Sequence, residues 1–425
     1  MVLKNDLGDI TRMVSAGTDI NLQNGNKDTA LHLAVEKGAK NLVLDLLRHG
    51  ADVNIENIQN RTVLHIALEK RFFDIVNIIL TENIDVNLKD WYGYTALHLA
   101  ARIGNVDIIK KLVEKGADIN CEDIFYYTPL IYACEGGKDA VEYILPLVKH
   151  LNIQGTLVHA AKTGNGDVIN MLINYGANVN LKNHKGLAPL HAAAFYGNLN
   201  AVNALLHHGA DPNSANNNNY TPLHSAVSKG HKEIVQRLLK AGSRVDAISK
   251  GDNIIHIAAE HAGTDVIDIL IAHGIDINVK NHNGQTALIL ACQDYNRLDV
   301  VRCLISQKAN PNIKEKHTNE SALHVACAVG NLDIVKALLD AGANVNDVTV
   351  LNDTPLHFAI RKGYEKIVVE LVEKGSDVTA VNSSGESALD IARKRQSKEI
   401  VEFLSKKTMT IKYGSCNTMT LVTNL

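Results

Sequence analysis

Along nearly the whole chain, apolar positions come in two short bursts separated by a glycine. The stretch "TALHLAARIGNVDIIKKLVEKGADIN", residues 95–120, shows the unit. Thr95 offers a helix cap, and Leu97, Leu99 and Ala100 give a short first helix with a thin apolar face. Gly104 breaks it. A second helix is predicted from apolar pairs four apart, Ile108–Ile109 and Leu112–Val113, closed by a left-handed cap at Gly116. A polar "ADIN" then leads into an Asp/Asn/Gly-rich turn that reads as a projecting finger.

This unit recurs. Its first-helix segment begins at Thr29, Thr62, Thr95, Thr128, Gly155, Ala188, Thr221, Asn253, Thr286, Ser321, Thr354 and Ser387. Successive starts lie 33 residues apart, except for steps of 27 after Thr128, 32 after Thr221 and 35 after Thr286. Period and "TPLH"-type signature together resemble the ankyrin-repeat family over about residues 1–404. The resemblance implies a mainly α fold: an ankyrin-repeat solenoid of stacked helix pairs with projecting β-hairpin fingers. It also implies that fingers and first helices line a concave face that binds other proteins, without specifying which.

Irregularities suggest the organisation. Residues 1–26 match only the second half of a unit, with "MVSAGTDIN" mirroring "LVEKGADIN". After Thr128, "DAVEYILPLVKHLNIQG" places Pro146 where a second helix should finish, and the usual finger is missing. A proline inside a helix costs roughly 3 kcal/mol, so the helix should end or kink there. Residues 136–157 are therefore expected to form a seam between an N-terminal subarray, 1–154, and a C-terminal subarray, 155–404. The latter ends in a charged capping unit in which Asp390 replaces the usual histidine. Residues 405–425 leave the pattern; two β-prone runs around "GSCN" suit a hairpin, and a disordered terminus is the alternative.

Composition narrows the functional classes. A net charge of −3 supplies no basic field for nucleic acid. No run approaches 18 apolar residues, so no membrane insertion is expected. Three of six cysteines, Cys134, Cys292 and Cys327, follow an alanine where other units carry small residues. They read as buried packing groups in a cytoplasmic or otherwise reducing compartment. Eight histidines, His32, His65, His98, His191, His224, His256, His324 and His357, share one position in the unit. At about 10 Å per layer they stand too far apart to share an ion, and a structural role beside the capping threonine is expected. No catalytic motif, metal site or cofactor fingerprint occurs, and the chain reads as a non-enzyme with no cofactor.

The candidate binding residues are aromatic. Ordinary fingers are polar, as in "KNHNGQ" from Lys280. Two neighbouring ones are not: the first offers Trp91, Tyr92 and Tyr94, and the second Phe125, Tyr126 and Tyr127 beside Ile124. Trp and Tyr dominate interface energetics, and exposed apolar patches mark contact sites. Tyr94 and Tyr127 have the alternative of covering the adjacent layer. Phe195 and Tyr196, ending a first helix, form a second candidate pair. The expected function is a monomeric, non-enzymatic scaffold that presents these residues to a protein partner. Alternatives are a bacterial effector or venom-toxin region acting on a host protein, in which case host cytosol is the compartment, and a passive spacer or membrane-skeleton linker.

Overall fold

A computed structural model describes residues 17–148 and 153–414, with side chains described over 17–148 and 155–409. By internal contacts the chain divides into two units. One comprises Met1–Leu181 with Ala188–Asp211, the other Lys182–Leu187 with Pro212–Leu425. This division lies C-terminal of the seam expected at residues 136–157, and the expected N-terminal half unit falls mostly outside the described residues.

Within each unit the sequence pattern becomes helix pairs. In the first, Ala96–Ile103 is followed by Val106–Glu114, and Pro129–Gly136 by Lys138–Ile144. First helices pack on first helices of the next repeat, as Ala96–Ile103 does on Pro129–Gly136. The core is thin and continuous: Leu97, Ala100, Ala101, Ile108, Ile109 and Leu112 are fully or almost fully buried. In the second unit, Ala322–Val329 with Leu332–Asp340 and Pro355–Lys362 with Glu365–Glu373 follow the same plan. Each layer alone could not bury its apolar stripe, so stability comes from stacking. Cys134, Cys292 and Cys327 lie in this core, and burial pushes the Cys134 thiol up to about 12.

Pro146 behaves as its backbone requires. The α-helix ends at Ile144, and Leu145–Leu147 form one 3₁₀ turn in which the missing N–H costs little. At the other end, Asp390 takes over the capping role, accepting from the Ser387 N–H at 3.0 Å and its hydroxyl at 2.6 Å.

The tail reading needs correction. Lys398–Gly414 form one helix, so residues 405–414 are neither strand nor disordered. No glycine or proline interrupts residues 398–413, and Ile400 and Leu404 anchor one face in the core. Lys406 pairs with Glu402 one turn back, and the Ser405 and Thr408 hydroxyls bond carbonyls four residues earlier. The second run of the expected hairpin lies outside the described residues.

The fingers are mostly turns rather than ladders. Among the described residues only Ile248–Ser249 and Asp252–Asn253 pair as strands, and Lys314–Ser321 and Val381–Ser387 form isolated bridges. What fixes successive repeats is an asparagine ladder at the base of the fingers. Asn54 accepts the Asp85 N–H at 2.8 Å and donates to the Asn83 carbonyl at 3.0 Å. Asn87 does the same with Asp118 and Gly116, and Asn346 with Asp377 and Gly375.

Candidate functional site

The two aromatic fingers are built on one turn geometry. The Asp90 carboxylate accepts the N–H groups of Tyr92 (2.9 Å) and Tyr94 (2.8 Å). Asp123 accepts those of Phe125 (2.7 Å) and Tyr127 (2.9 Å). Backbone bonds from Asp90 to Tyr94 and from Asp123 to Tyr127, each 3.0 Å, close the turns. Such Asx turns satisfy buried donors without a strand partner, which is why five residues suffice. Burial lifts the Asp90 carboxyl above its ordinary range, and the Tyr94 and Tyr92 amides pull it back.

The repeat histidines position the fingers. His65 Nδ1 accepts the Thr62 N–H at 3.1 Å, so its proton sits on Nε2, which donates to the Tyr94 carbonyl at 3.0 Å. His98 does the same from Thr95 to the Tyr127 carbonyl at 3.1 Å. Burial lowers the pKa of both rings and keeps them neutral, His65 down to about 4. Each histidine thus holds the finger of the following repeat. Adjacent fingers are also tied directly, Trp91 N–H to the Gln59 carbonyl at 3.2 Å and Ile124 N–H to the Tyr92 carbonyl at 3.1 Å.

On this frame the candidate residues separate into two groups. Tyr94 and Tyr127 are half-buried and turn inward around Tyr132, with ring centroids 5.4 and 6.1 Å from it. The Tyr132 hydroxyl donates to Asp123 Oδ2 at 2.7 Å and lies 3.2 Å from the Tyr94 hydroxyl. Burial and these hydrogen bonds push the Tyr132 phenol well above its ordinary value. Trp91, Tyr92, Ile124, Phe125 and Tyr126 point to solvent, each more than half exposed and Tyr126 75%. Phe195 and Tyr196 are exposed on a different repeat and form their own edge-to-face pair at 5.3 Å, with Lys162 5.3 Å over the Tyr196 ring.

Tyr126 is unusual in its backbone. Its φ of 62° is left-handed, at the turn position where the preceding finger has Gly93 and others have Asn60, Asn219 or Asn352. Glycine is needed at 93, where a Cβ would meet Asp123 Cα and the Ile124 nitrogen at 3.0 Å. The repeat after Tyr126 lacks finger sequence, so this close approach does not recur. Room for a side chain leaves the intrinsic strain, of order 1 kcal/mol for a bulky residue.

Sequence reasoning overlooked Tyr132 and two arginines. Arg61 and Arg102 line, with Gln59, Glu69, Trp91 and Tyr92, a hollow of about 360 Å³ between successive fingers. Arg61 Nη1 pairs with Glu69 at 2.6 Å, and the Arg102 guanidinium lies 5.6 Å over the Tyr94 ring. Residues 61 and 102 lie on different repeats, and nothing in a single unit signals their convergence. A further apolar finger was legible but passed over: Val350 and Leu351 in "DVTVLND" are each about 60% exposed. Among the described residues no three His, Cys, Asp or Glu side chains gather as metal ligands would, and no helix is long and apolar enough to cross a membrane.

The family comparison agrees with this architecture. The family description "Ankyrin repeats (3 copies)" matches residues 1–90, 90–154, 157–249, 255–349, 295–382 and 323–415. The human ASB11 ankyrin repeat domain is 28% identical, with 51% of this chain and 96% of that one covered and a TM-score of 0.47. The ankyrin repeat domain of Bcl-3, described as a unique member of the IkappaB protein family, is 29% identical, covering 52% and 100% with a TM-score of 0.47. No curated protein sequence matches.

Proposed function

Because the chain belongs to the ankyrin-repeat family, whose repeats are generally protein–protein interaction modules, we propose that it is a non-enzymatic scaffold whose contact surface centres on the two aromatic fingers. Trp91, Tyr92, Phe125 and Tyr126 carry the contact. Tyr94 and Tyr127 support it from below, and Phe195 and Tyr196 supply a secondary site.

The observation that carries this reading is the separation of tip from turn. Asp90, Asp123, His65 and His98 hold the fingers through backbone groups. The exposed rings contribute to none of those bonds. Water-facing aromatic area is unfavourable alone and favourable once covered. Tyr126 adds backbone strain that its own repeat does not require. Fingers held rigid before binding also spare a partner the entropy of ordering them. The double variant Trp91→Ala/Phe125→Ala should capture the native partner at least tenfold more weakly, about 1.4 kcal/mol. Quantitative pull-down from the native cell, with circular dichroism showing an unchanged helical array, makes the comparison. Undiminished capture would sink the proposal.

A further inference from the structure

The hollow beneath Trp91 has a specific chemistry. Arg61 gives one hydrogen bond to Glu69, while its Nε–H is buried with no acceptor. A buried donor left unpaired is costly, and a ligand oxygen removes that cost. Arg102 lies over the Tyr94 ring, and among the described residues its guanidinium has neither ion pair nor hydrogen bond. Two cationic forks with unused donors therefore border one cavity whose aromatic walls include Trp91 and Tyr92 and whose acidic groups are Glu69 and Asp90. Gln59 and Arg61 also line a second hollow, of about 300 Å³, toward the preceding finger. Consecutive hollows sharing a wall suit a segment that runs across the fingers rather than one compact ligand.

From this we infer that the hollow takes the carboxylate of an acidic side chain in an extended peptide segment of the partner, with a neighbouring apolar side chain laid against Trp91 and Tyr92. The inference rests on the reading of these fingers as the contact surface. Arginine matches a carboxylate bidentately through Nε and one Nη, which is the edge Arg61 leaves unused. Glu69 and Asp90 line the same cavity. Glu69 already offsets Arg61, and Arg102 has no acidic partner, so a single carboxylate brings less negative charge beside Glu69 and Asp90 than a phosphate dianion would.

A random linear peptide library displayed on phage and selected on the full chain tests this. Recovered peptides should carry Asp or Glu beside an apolar residue. Replacing that Glu by Gln in a recovered peptide should weaken binding tenfold or more on the unaltered chain, and little on Arg102→Gln, a surface change that leaves folding intact. Arg61→Lys, which keeps the charge but not the fork, should weaken the Glu peptide severalfold. Several results overturn the inference. These are no recovered peptides, recovered peptides without acidic bias, equal Glu-to-Gln losses on both chains, or a phosphoserine peptide binding tighter than its Glu counterpart. Trp91→Ala/Phe125→Ala separates the two levels. Neutral peptides lost on that variant leave the finger surface standing without the carboxylate site. Acidic peptides retained on it refute the finger surface itself.

Discussion

The finger at Asp90–Tyr94 and the finger at Asn281–Gln285 make the same turn. Asn281 accepts the N–H groups of Asn283 and Gln285 at 3.0 and 2.9 Å, as Asp90 accepts those of Tyr92 and Tyr94. A repeat histidine, His256, donates to the Gln285 carbonyl at 3.0 Å, as His65 does to that of Tyr94. Both have glycine at the left-handed position, Gly284 and Gly93. The tips differ, His282 and Asn283 against Trp91 and Tyr92, as do the residues that open and close the turn, Asn281 and Gln285 against Asp90 and Tyr94. The frame therefore tolerates either tip, and an aromatic tip is not a requirement of folding.

Acid should break the frame where the repeat histidines are most shifted, at the Asp90–Tyr94 finger held by His65 and the Thr349–Asp353 finger held by His324. His65 and His324 are lowered to about 4 by burial. Their neutral forms support the fold above the unfolded value near 6.5. As pH falls toward 4 the unfolded chain binds protons first, and stability is lost, roughly 3 kcal/mol per histidine. Urea midpoints at pH 7 and pH 4.5 measure the loss; equal midpoints would contradict the role given to these rings.

Asp123→Ala should damage one finger severely and leave the polar ones alone. It removes the acceptor of two backbone N–H groups and of the Tyr132 hydroxyl, for a loss of about 3 kcal/mol. Asn281→Ala, which lacks the tyrosine partner, should lose less. Hydrogen exchange localised to residues 123–132 would show the first; a smaller effect at 123 than at 281 counts against the argument.

Tip changes should spare the frame. Trp91→Ala/Phe125→Ala should move the unfolding midpoint by no more than about 0.5 kcal/mol, as for exposed sites generally. A loss above 2 kcal/mol would show that the rings serve folding after all. The finest test is Tyr126→Gly. Relief of the left-handed strain should stabilise the array by up to about 1 kcal/mol while weakening partner capture. Tyr126→Ala keeps most of the strain and gives the smaller stability change. A destabilised Tyr126→Gly would refute the strain assignment.

Much of this molecule was legible in its sequence because it is written many times over. The 33-residue recurrence forces the helix pairs, and the proline at 146 ends its helix as its ring dictates. The repeat histidine was readable as scaffold from its fixed place beside Thr62 or Thr95. The aromatic tips stood out because their neighbours in the pattern are polar. Single occurrences were harder. Residues 405–414 have β-prone composition, yet the preceding helix simply continues, since packing of Ile400 and Leu404 outweighs weak propensity. The Arg61–Arg102 hollow depends on side chains meeting across a repeat boundary, and Tyr132 on a hydroxyl reaching back to Asp123. Neither leaves a periodic trace.

The asparagine ladder has a consequence for how such a chain can change over time. The 35-residue step after Thr286 carries two extra residues, which counting from Asn278 to Asn312 to Asn346 divides between two repeats. One has the extra residue in the turn around Asp294, the other in the finger Glu315–Glu320. In both, the asparagine still reaches the next repeat at 2.8 Å, Asn278 to Asn310 and Asn312 to Asn344. Where the ladder runs, register is thus reset at a point that neither insertion touches. Heritable variation in length and chemistry can accumulate at finger tips and helix turns without propagating along the array, so one lineage can try new partners while keeping one fold.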